Sequence, residues 1–389
     1  MPFAASLSEH PDPAQAIGEC IGDVLDRHGP HPDLLLLFAT AAHRDDLAEL
    51  SRVAQRLLAP GCLVAAVSSS VIGGAREVEE QPGVSLWAAW DVGPVAAVHL
   101  DHGPGGALLG TTAGGDGWDR FDALTAAGAG RTALVLAEPL SFPVDEFLAR
   151  VEVTRPELVV VGGLLAPPAR PGEPVFVVDG VRHARGAVAI VLEQAVRTVV
   201  SQGCRPVGAP FTVTRAEGNV LGELGSRPAL ARLQELATEA APGDRELLLR
   251  GVHLGRVIDE HAIDFRRGDF LVRAVLGARA ETGALVVGDR VQVGDTVQFQ
   301  VRDADSAHED LVELLAGERA DAALVFTCNG RGRHLFDTDD HDAELVCELT
   351  GARSVAGVFC AGEVGPVGSR SFLHGFTASV ALFTDRSAP

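Results

Sequence analysis

The chain has 389 residues, with 53 acidic against 32 basic side chains and a net charge of −21. That length suits two or three domains with ample core. The acidity argues against nucleic acid and anionic membranes as partners, since both call for basic patches. All the basic residues are arginine, and tyrosine is absent; Schiff-base chemistry, a P-loop or kinase lysine and a tyrosine acid or base are therefore excluded.

The six cysteines (Cys20, Cys62, Cys204, Cys328, Cys347, Cys360) form no C-x-x-C pair and no zinc spacing, so the expectation is reduced thiols and no metal. Residues 1–13 lack the basic-then-apolar order of a signal peptide. No apolar run approaches the ~20 residues of a membrane helix. These features predict a soluble, cytoplasmic protein without a cofactor.

In chain order, residues 13–27 carry apolar side chains at helical spacing. A strand at 33–38, a helix to Leu58 and a strand at 62–67 then make a βαβ unit, which implies parallel strands. The turn Ser68-Ser69-Ser70-Val71-Ile72-Gly73-Gly74 is either an ordinary turn or an anion cradle of backbone N–H groups. Residues 84–90 and 95–100 read as a hairpin, as do 175–178 and 186–192. A glycine-crowded loop covers 103–117, and Pro167, Pro168, Pro171 and Pro174 mark a rigid surface excursion. Strand 196–202 enters the turn Gly203-Cys204-Arg205-Pro206. Pro228 opens a helix, and the pattern then restarts. The division expected is an N-terminal extension at 1–30, domains at 31–225 and 226–383, and a tail at 384–389.

Two late segments, 325–330 and 358–363, each end an apolar strand in a thiol and a glycine turn. The stretch 341–349 between them is helical in pattern, so a parallel crossover brings both turns to one sheet edge, where open α/β sheets bind ligands. One turn offers Arg331 and Arg333, the other Glu363. That pairing suits a zwitterion, because guanidinium grips carboxylate and glutamate takes ammonium; alternatively the two charges pair with each other or with local backbone. Gly330, Gly332, Gly362 and Gly365 permit close backbone approach. Cys328 is either a packed lining residue or a nucleophile served by His341 or His374. His341-Asp342 also reads as a helix cap.

These residues resemble a known family. Gly73 with its serine turn, residues 199–208 and residues 212–217 resemble the FIST N-terminal domain. Residues 326–332, His341-Asp342, residues 362–366 and residues 374–377 resemble the FIST C-terminal domain. The resemblance covers roughly residues 31–383. It implies two related α/β domains with mixed, partly parallel sheets, and intracellular sensing of a small ligand, amino acids being the suggested class. It leaves a signalling protein partner open. Ser68 and Ala361 depart from the family's frequent cysteine and asparagine.

The expected ligand-binding set is Cys328, Asn329, Gly330, Arg331, Gly332, Arg333, His341, Asp342, Gly362, Glu363, Gly365 and His374. Ser68, Ser69, Gly73, Gly203, Cys204 and Arg205 are secondary. Two other functions compete with non-catalytic sensing: a cysteine-dependent amidase or acyltransferase built on Cys328, and a protein-binding adaptor.

Overall fold

A computed structural model describes residues 2–101, 116–126, 131–165, 170, 172–173, 175–261, 265 and 267–385. The expected proline excursion and most of the 103–117 loop lie outside them. Two compact units result. The first combines Met1–Val200, Val312–Leu373 and Thr377–Pro389; the second combines Ser201–Leu311 and His374–Phe376. The fold is mixed α/β.

The first unit opens with strand Phe3–Ser8 and helix Pro13–His28. Asp12 accepts the Gln15 N–H at 2.9 Å, Pro13 occupies the first turn and Gly29 ends the helix at φ 80°. These are the start and stop signals that the sequence carries.

Apart from Val95–Leu100, Asp116–Leu124 and a few flanking segments, the rest of this unit is built from one arrangement used three times. Each repeat runs strand, helix, parallel strand, β-hairpin and returning antiparallel strand. In the first repeat these are Leu34–Thr40, Leu47–Leu58, Cys62–Ser68, the hairpin Ser70–Gly73 with Arg76–Glu79, and Val84–Ala89. The second uses Thr132–Ala137, Val144–Thr154, Val159–Leu164, Phe176–Val178 with Val181–His183, and Ala187–Leu192. The third uses Ala322–Cys328, His341–Thr350, Ser354–Cys360, Gly362–Val367 with Arg370–His374, and Thr377–Phe383.

No repeat keeps its own hairpin. The first repeat's hairpin pairs with Ser354–Cys360 of the third, the second's with Cys62–Ser68 of the first, and the third's with Val159–Leu164 of the second. With one further strand in each (Phe3–Ser8, Val95–Leu100 and Arg197–Gln202), three six-stranded sheets arise, each completed by a neighbour.

One face of every sheet feeds a shared core, including Leu36, Phe38 and Val64 from the first, Leu134, Val161 and Ile190 from the second, and Leu324, Phe326 and Val358 from the third. The other face of the first sheet packs on helices Pro13–His28 and Leu47–Leu58, and that of the second on Asp116–Leu124 and Val144–Thr154. Strands covered on both faces read as continuous apolar runs, as Leu34-Leu35-Leu36-Leu37-Phe38 does. Trp87 is fully buried against Phe3 and Phe383, with ring centroids at 5.6 and 5.0 Å. Its indole N–H donates to the Ser354 carbonyl at 3.0 Å, so one ring ties the first sheet to the third.

The repeat explains a glycine at one station. Opposite Val135 stands Gly162, and opposite Val325 stands Gly357. A Cβ on either would lie 1.9 or 2.0 Å from that valine's carbonyl oxygen, a separation no side chain can occupy. In the first repeat the corresponding pair is Leu37 and Ala65.

In the second unit, strands Phe211–Glu217, Val220–Leu224, Ala284–Val287, Phe270–Arg279, His253–Val257 and Thr296–Arg302 pair in that order, and the last returns to the first. This is a closed antiparallel barrel, which leaves no edge among these six. Leu221, Leu254, Leu285, Val297 and Phe299 are among its core residues, and Leu230 and Leu233 of helix Ala229–Glu239 pack against it.

Both expected hairpins are corrected. Val84–Ala89 lies in the first sheet but Val95–Leu100 in the second. Phe176–Val178 turns back as Val181–His183, while Ala187–Leu192 leaves for the second sheet. Turn residues announce a reversal; the strand's destination is set by tertiary packing. The serine turn is also shorter than expected, because Ser70–Gly73 is already a strand.

Candidate functional site

Ala322–Cys328 and Ser354–Cys360 run parallel with Cys328 opposite Cys360. The turn beyond each therefore emerges at one edge, as the crossover argument requires. The Asn329 N–H donates to the Cys360 carbonyl at 2.8 Å. Two serines from the first repeat reach this edge: Ser69 Oγ donates to Asn329 Oδ1 at 2.7 Å, and Ser68 Oγ donates to the Phe359 carbonyl. Residues 362–367 do not form a second glycine turn, since Gly362–Val367 pairs as a strand with Val159–Leu164.

Arg331 is wholly buried. Its Nε and Nη2 donate to Asp342 Oδ2 and Oδ1, each at 2.7 Å, the fork geometry that makes arginine–carboxylate pairs strong. Asp342 Oδ2 also accepts the Thr327 hydroxyl at 2.6 Å, and His341 Nδ1 lies 3.0 Å from Oδ1. The guanidinium stands 5.2 Å from the Phe336 ring centre, and the His341 ring stacks on that same phenylalanine. Burial works against both charges. The pair outweighs it, holding Asp342 well below the usual carboxylate range and raising Arg331 further.

Asp342 is thus no cap. Asp340 is the N-cap residue of helix His341–Thr350 and makes no side-chain cap bond. The capping acceptor comes from the first repeat's hairpin, where Glu77 Oε1 accepts the Asp342 and Ala343 N–H groups, both at 2.9 Å. Burial, and after it the Asp342 charge, push Glu77 up to about 8. Glu79 on the same strand accepts the Arg333 N–H at 2.9 Å, and Arg333 Nη2 donates to its carbonyl at 2.9 Å. Gly332 has φ 53°, a left-handed conformation that favours glycine, and a Cβ there would lie 2.6 Å from Glu79 Oε1 and displace that carboxylate.

Glu363, also wholly buried, accepts the Thr377 N–H at 3.1 Å and the Thr377 hydroxyl at 2.8 Å, both on Oε2. Burial pushes its carboxyl up to about 8 against those bonds, the Arg331 charge and the Cys328 thiol. The Gly330 N–H donates to Cys328 Sγ at 3.4 Å. Among the described residues, Arg331 Nη1, Glu363 Oε1 and Glu77 Oε2 have no hydrogen-bond partner. Ser69, Asn329 and Gly330 are half-buried and Ala361 is exposed, so the centre lies one layer beneath solvent.

The raised Glu363 carboxyl has a measurable consequence. Its ordinary value is 4.5 and its folded value about 8. The folded state therefore holds the proton more tightly, and the contribution to stability is complete below about pH 4.5. It is lost as pH rises towards 8, by up to ~1.4 kcal/mol per pH unit. Glu77 has the same sign. Glu363→Gln is expected to flatten a plot of unfolding free energy against pH between 5 and 8 without abolishing it. An unchanged slope in urea titrations across that range would refute the assignment.

The other expected residues divide. Gly73 packs on Leu7 within its strand, and Gly365 on Val200 and Ser379. His374, Gly203, Cys204 and Arg205 belong to the second unit. There the Gly203 N–H donates to the Phe376 carbonyl at 2.7 Å, Cys204 is buried, and Arg205 donates to Asp244 at 2.6 Å and to Asp303. Glu77, Glu79 and Phe336 stand outside every expected motif, while Thr327 and Thr377 lie within the resembling motifs but outside the expected ligand-binding set. Glu77 and Glu79 flank Val78 at strand spacing, which placed two carboxylates on one face; nothing local showed that this face is buried.

Residues 33–227 match the FIST N domain and residues 229–366 the FIST C domain. The boundary between these matches falls within the barrel, after Val220–Leu224 and before His253–Val257. An uncharacterized protein of Mycobacterium tuberculosis (strain ATCC 25618 / H37Rv) is 40% identical over 402 residues, covering 99% of this chain and 100% of the relative. An uncharacterized protein of Mycobacterium bovis (strain ATCC BAA-935 / AF2122/97) is 39% identical over 400 residues, covering 99% of each. No helix among the described residues is long and apolar enough to cross a membrane. With both of its domains matched, the chain belongs to the FIST family, whose domains are associated with small-ligand-binding signal transduction.

Proposed function

We propose that this chain is a non-catalytic sensory protein whose ligand is an amino acid or a similar polar metabolite, bound at the Arg331–Glu363 centre. One observation carries the reading: two wholly buried ionisable side chains of opposite type each keep one polar atom without a partner among the described residues, Arg331 Nη1 and Glu363 Oε1. Buried polar groups are nearly always satisfied, so such atoms call for an explanation. A ligand carboxylate can accept from Nη1, and a ligand ammonium can donate to Oε1. Because Glu363 holds its proton up to about 8, capture of an ammonium goes with release of that proton. Affinity for a zwitterion should therefore rise with pH towards 8. The six free cysteines fit a reducing, cytoplasmic setting, and a signalling protein partner would read the bound state.

Thermal unfolding of the full chain against amino acids and related acids tests this. A ligand at 100 times its Kd stabilises by ~2.7 kcal/mol. Glu363→Gln should remove that gain while the protein stays folded. Folded wild-type protein that none of these compounds stabilises would rule out the amino-acid reading.

A further inference from the structure

The turn after Leu34–Thr40 is the first repeat's counterpart of the Arg331 turn, and it holds its cation differently. Thr40 opposite Ser68 stands where Cys328 opposite Cys360 stands. Three residues on, His43 takes the place of Arg331, and Arg44 follows. His43 is 1% exposed and Arg44 7%. In the third repeat the buried guanidinium meets its carboxylate through two bonds of 2.7 Å. In the first, Arg44 Nε stands 3.9 Å from Glu173, an ion pair too long for a hydrogen bond.

Among the described residues, Arg44 Nη1 and His43 Nε2 have no hydrogen-bond partner. Burial lowers the guanidinium's hold on its proton by more than Glu173 and Asp45 restore. A buried charge left under-compensated is costly. Helix Leu47–Leu58 starts just beyond, and no side chain caps it, so its positive end adds to the local field.

We propose that the turn at residues 40–46 is an oxyanion-binding site, in which Arg44 Nη1 and His43 Nε2 donate to a carboxylate or phosphate group. Glu173 occupies the Nε edge of the guanidinium and leaves Nη1 for the ligand. A neutral imidazole can carry its proton on Nε2, so the site needs no titration. It shares no residue with the Arg331 centre and does not depend on what binds there.

The test is thermal unfolding of the full chain in phosphate, acetate or chloride at matched ionic strength, kept to low millimolar anion so that general salt effects stay small. Phosphate or acetate should raise the melting temperature by a few degrees over chloride in a saturable way, and Arg44→Met should remove the increment. Response to phosphate alone assigns a phosphoryl ligand, and response to acetate alone a carboxylate. Equal melting in all three salts, or an increment that survives Arg44→Met, overturns the proposal. Should Arg44→Met not fold, the His43 ring nitrogens of the wild type decide by NMR: they must shift on titration with phosphate or acetate and not with chloride, and static resonances overturn the site. Amino-acid stabilisation, measured in the same buffers, is a separate readout, so the two ideas can fail independently.

Discussion

Asp342→Ala is expected to cost ~3–5 kcal/mol of stability, the range for leaving a buried charge without its partner. Arg331 has no exposure to water and spends two N–H groups on Asp342. Removal of the carboxylate strands that guanidinium and also unseats the Thr327 hydroxyl. The cost belongs to the stranded charge more than to the pair, and a double variant separates the two. Arg331→Met with Asp342→Leu should recover much of the loss, because apolar groups of similar volume often replace buried ion pairs at little cost. Urea denaturation of the three proteins gives the comparison. A loss below about 1 kcal/mol for Asp342→Ala would show that water reaches the pair and that the centre is not sealed.

Gly357→Ala is the second large effect. Its new methyl would start 2.0 Å from the Val325 carbonyl, which belongs to the neighbouring strand of the same sheet, so relief requires the parallel pair itself to separate. Overpacking a core costs ~1–3 kcal/mol and occasionally more, and rigid backbone on both sides puts this case at the top of that range or beyond. Gly162→Ala should behave alike, facing the Val135 carbonyl at 1.9 Å. At the same station of the first repeat an alanine is native, and Ala65→Gly should cost no more than the ~0.5–1 kcal/mol of lost backbone restriction. Mild and equal effects at all three positions, read from denaturation midpoints, would show that the strand spacing is softer than described.

Much of the third repeat was legible because its signals are local. Apolar strands flank a helix with Val346 buried and Leu345 and Leu349 half-buried, and the crossover rule then places Cys328 and Glu363 near one edge. The choice of partner for Arg331 was not legible. Glu363 and Asp342 are both acidic and both near in sequence, and only the helix start at His341 decides in favour of Asp342. Glu77 lay further out of reach, since it caps a helix 265 residues away in the chain. The threefold repeat left little trace for the same reason: its copies share backbone and pairing, while Thr40, Ala137 and Cys328 end comparable strands with different chemistry ahead of them. The shared Gly162 and Gly357 were visible as letters; their meaning required the register.

The traded hairpins bear on how the chain is made. Emerging from the ribosome, the first repeat offers Cys62–Ser68 with an open edge that only Phe176–Val178 closes, and its own hairpin waits for Ser354–Cys360, on the far side of the barrel segment in sequence. A nascent fragment that stops after the second repeat can complete the first sheet, but the second sheet still waits for Gly362–Val367 and the third has yet to be made. Contacts of such long sequence separation slow folding and leave strand edges uncovered meanwhile. The barrel, whose strands close on one another, can form first, leaving the three-sheet unit as the late step whose strand edges stay open until the last repeat is made.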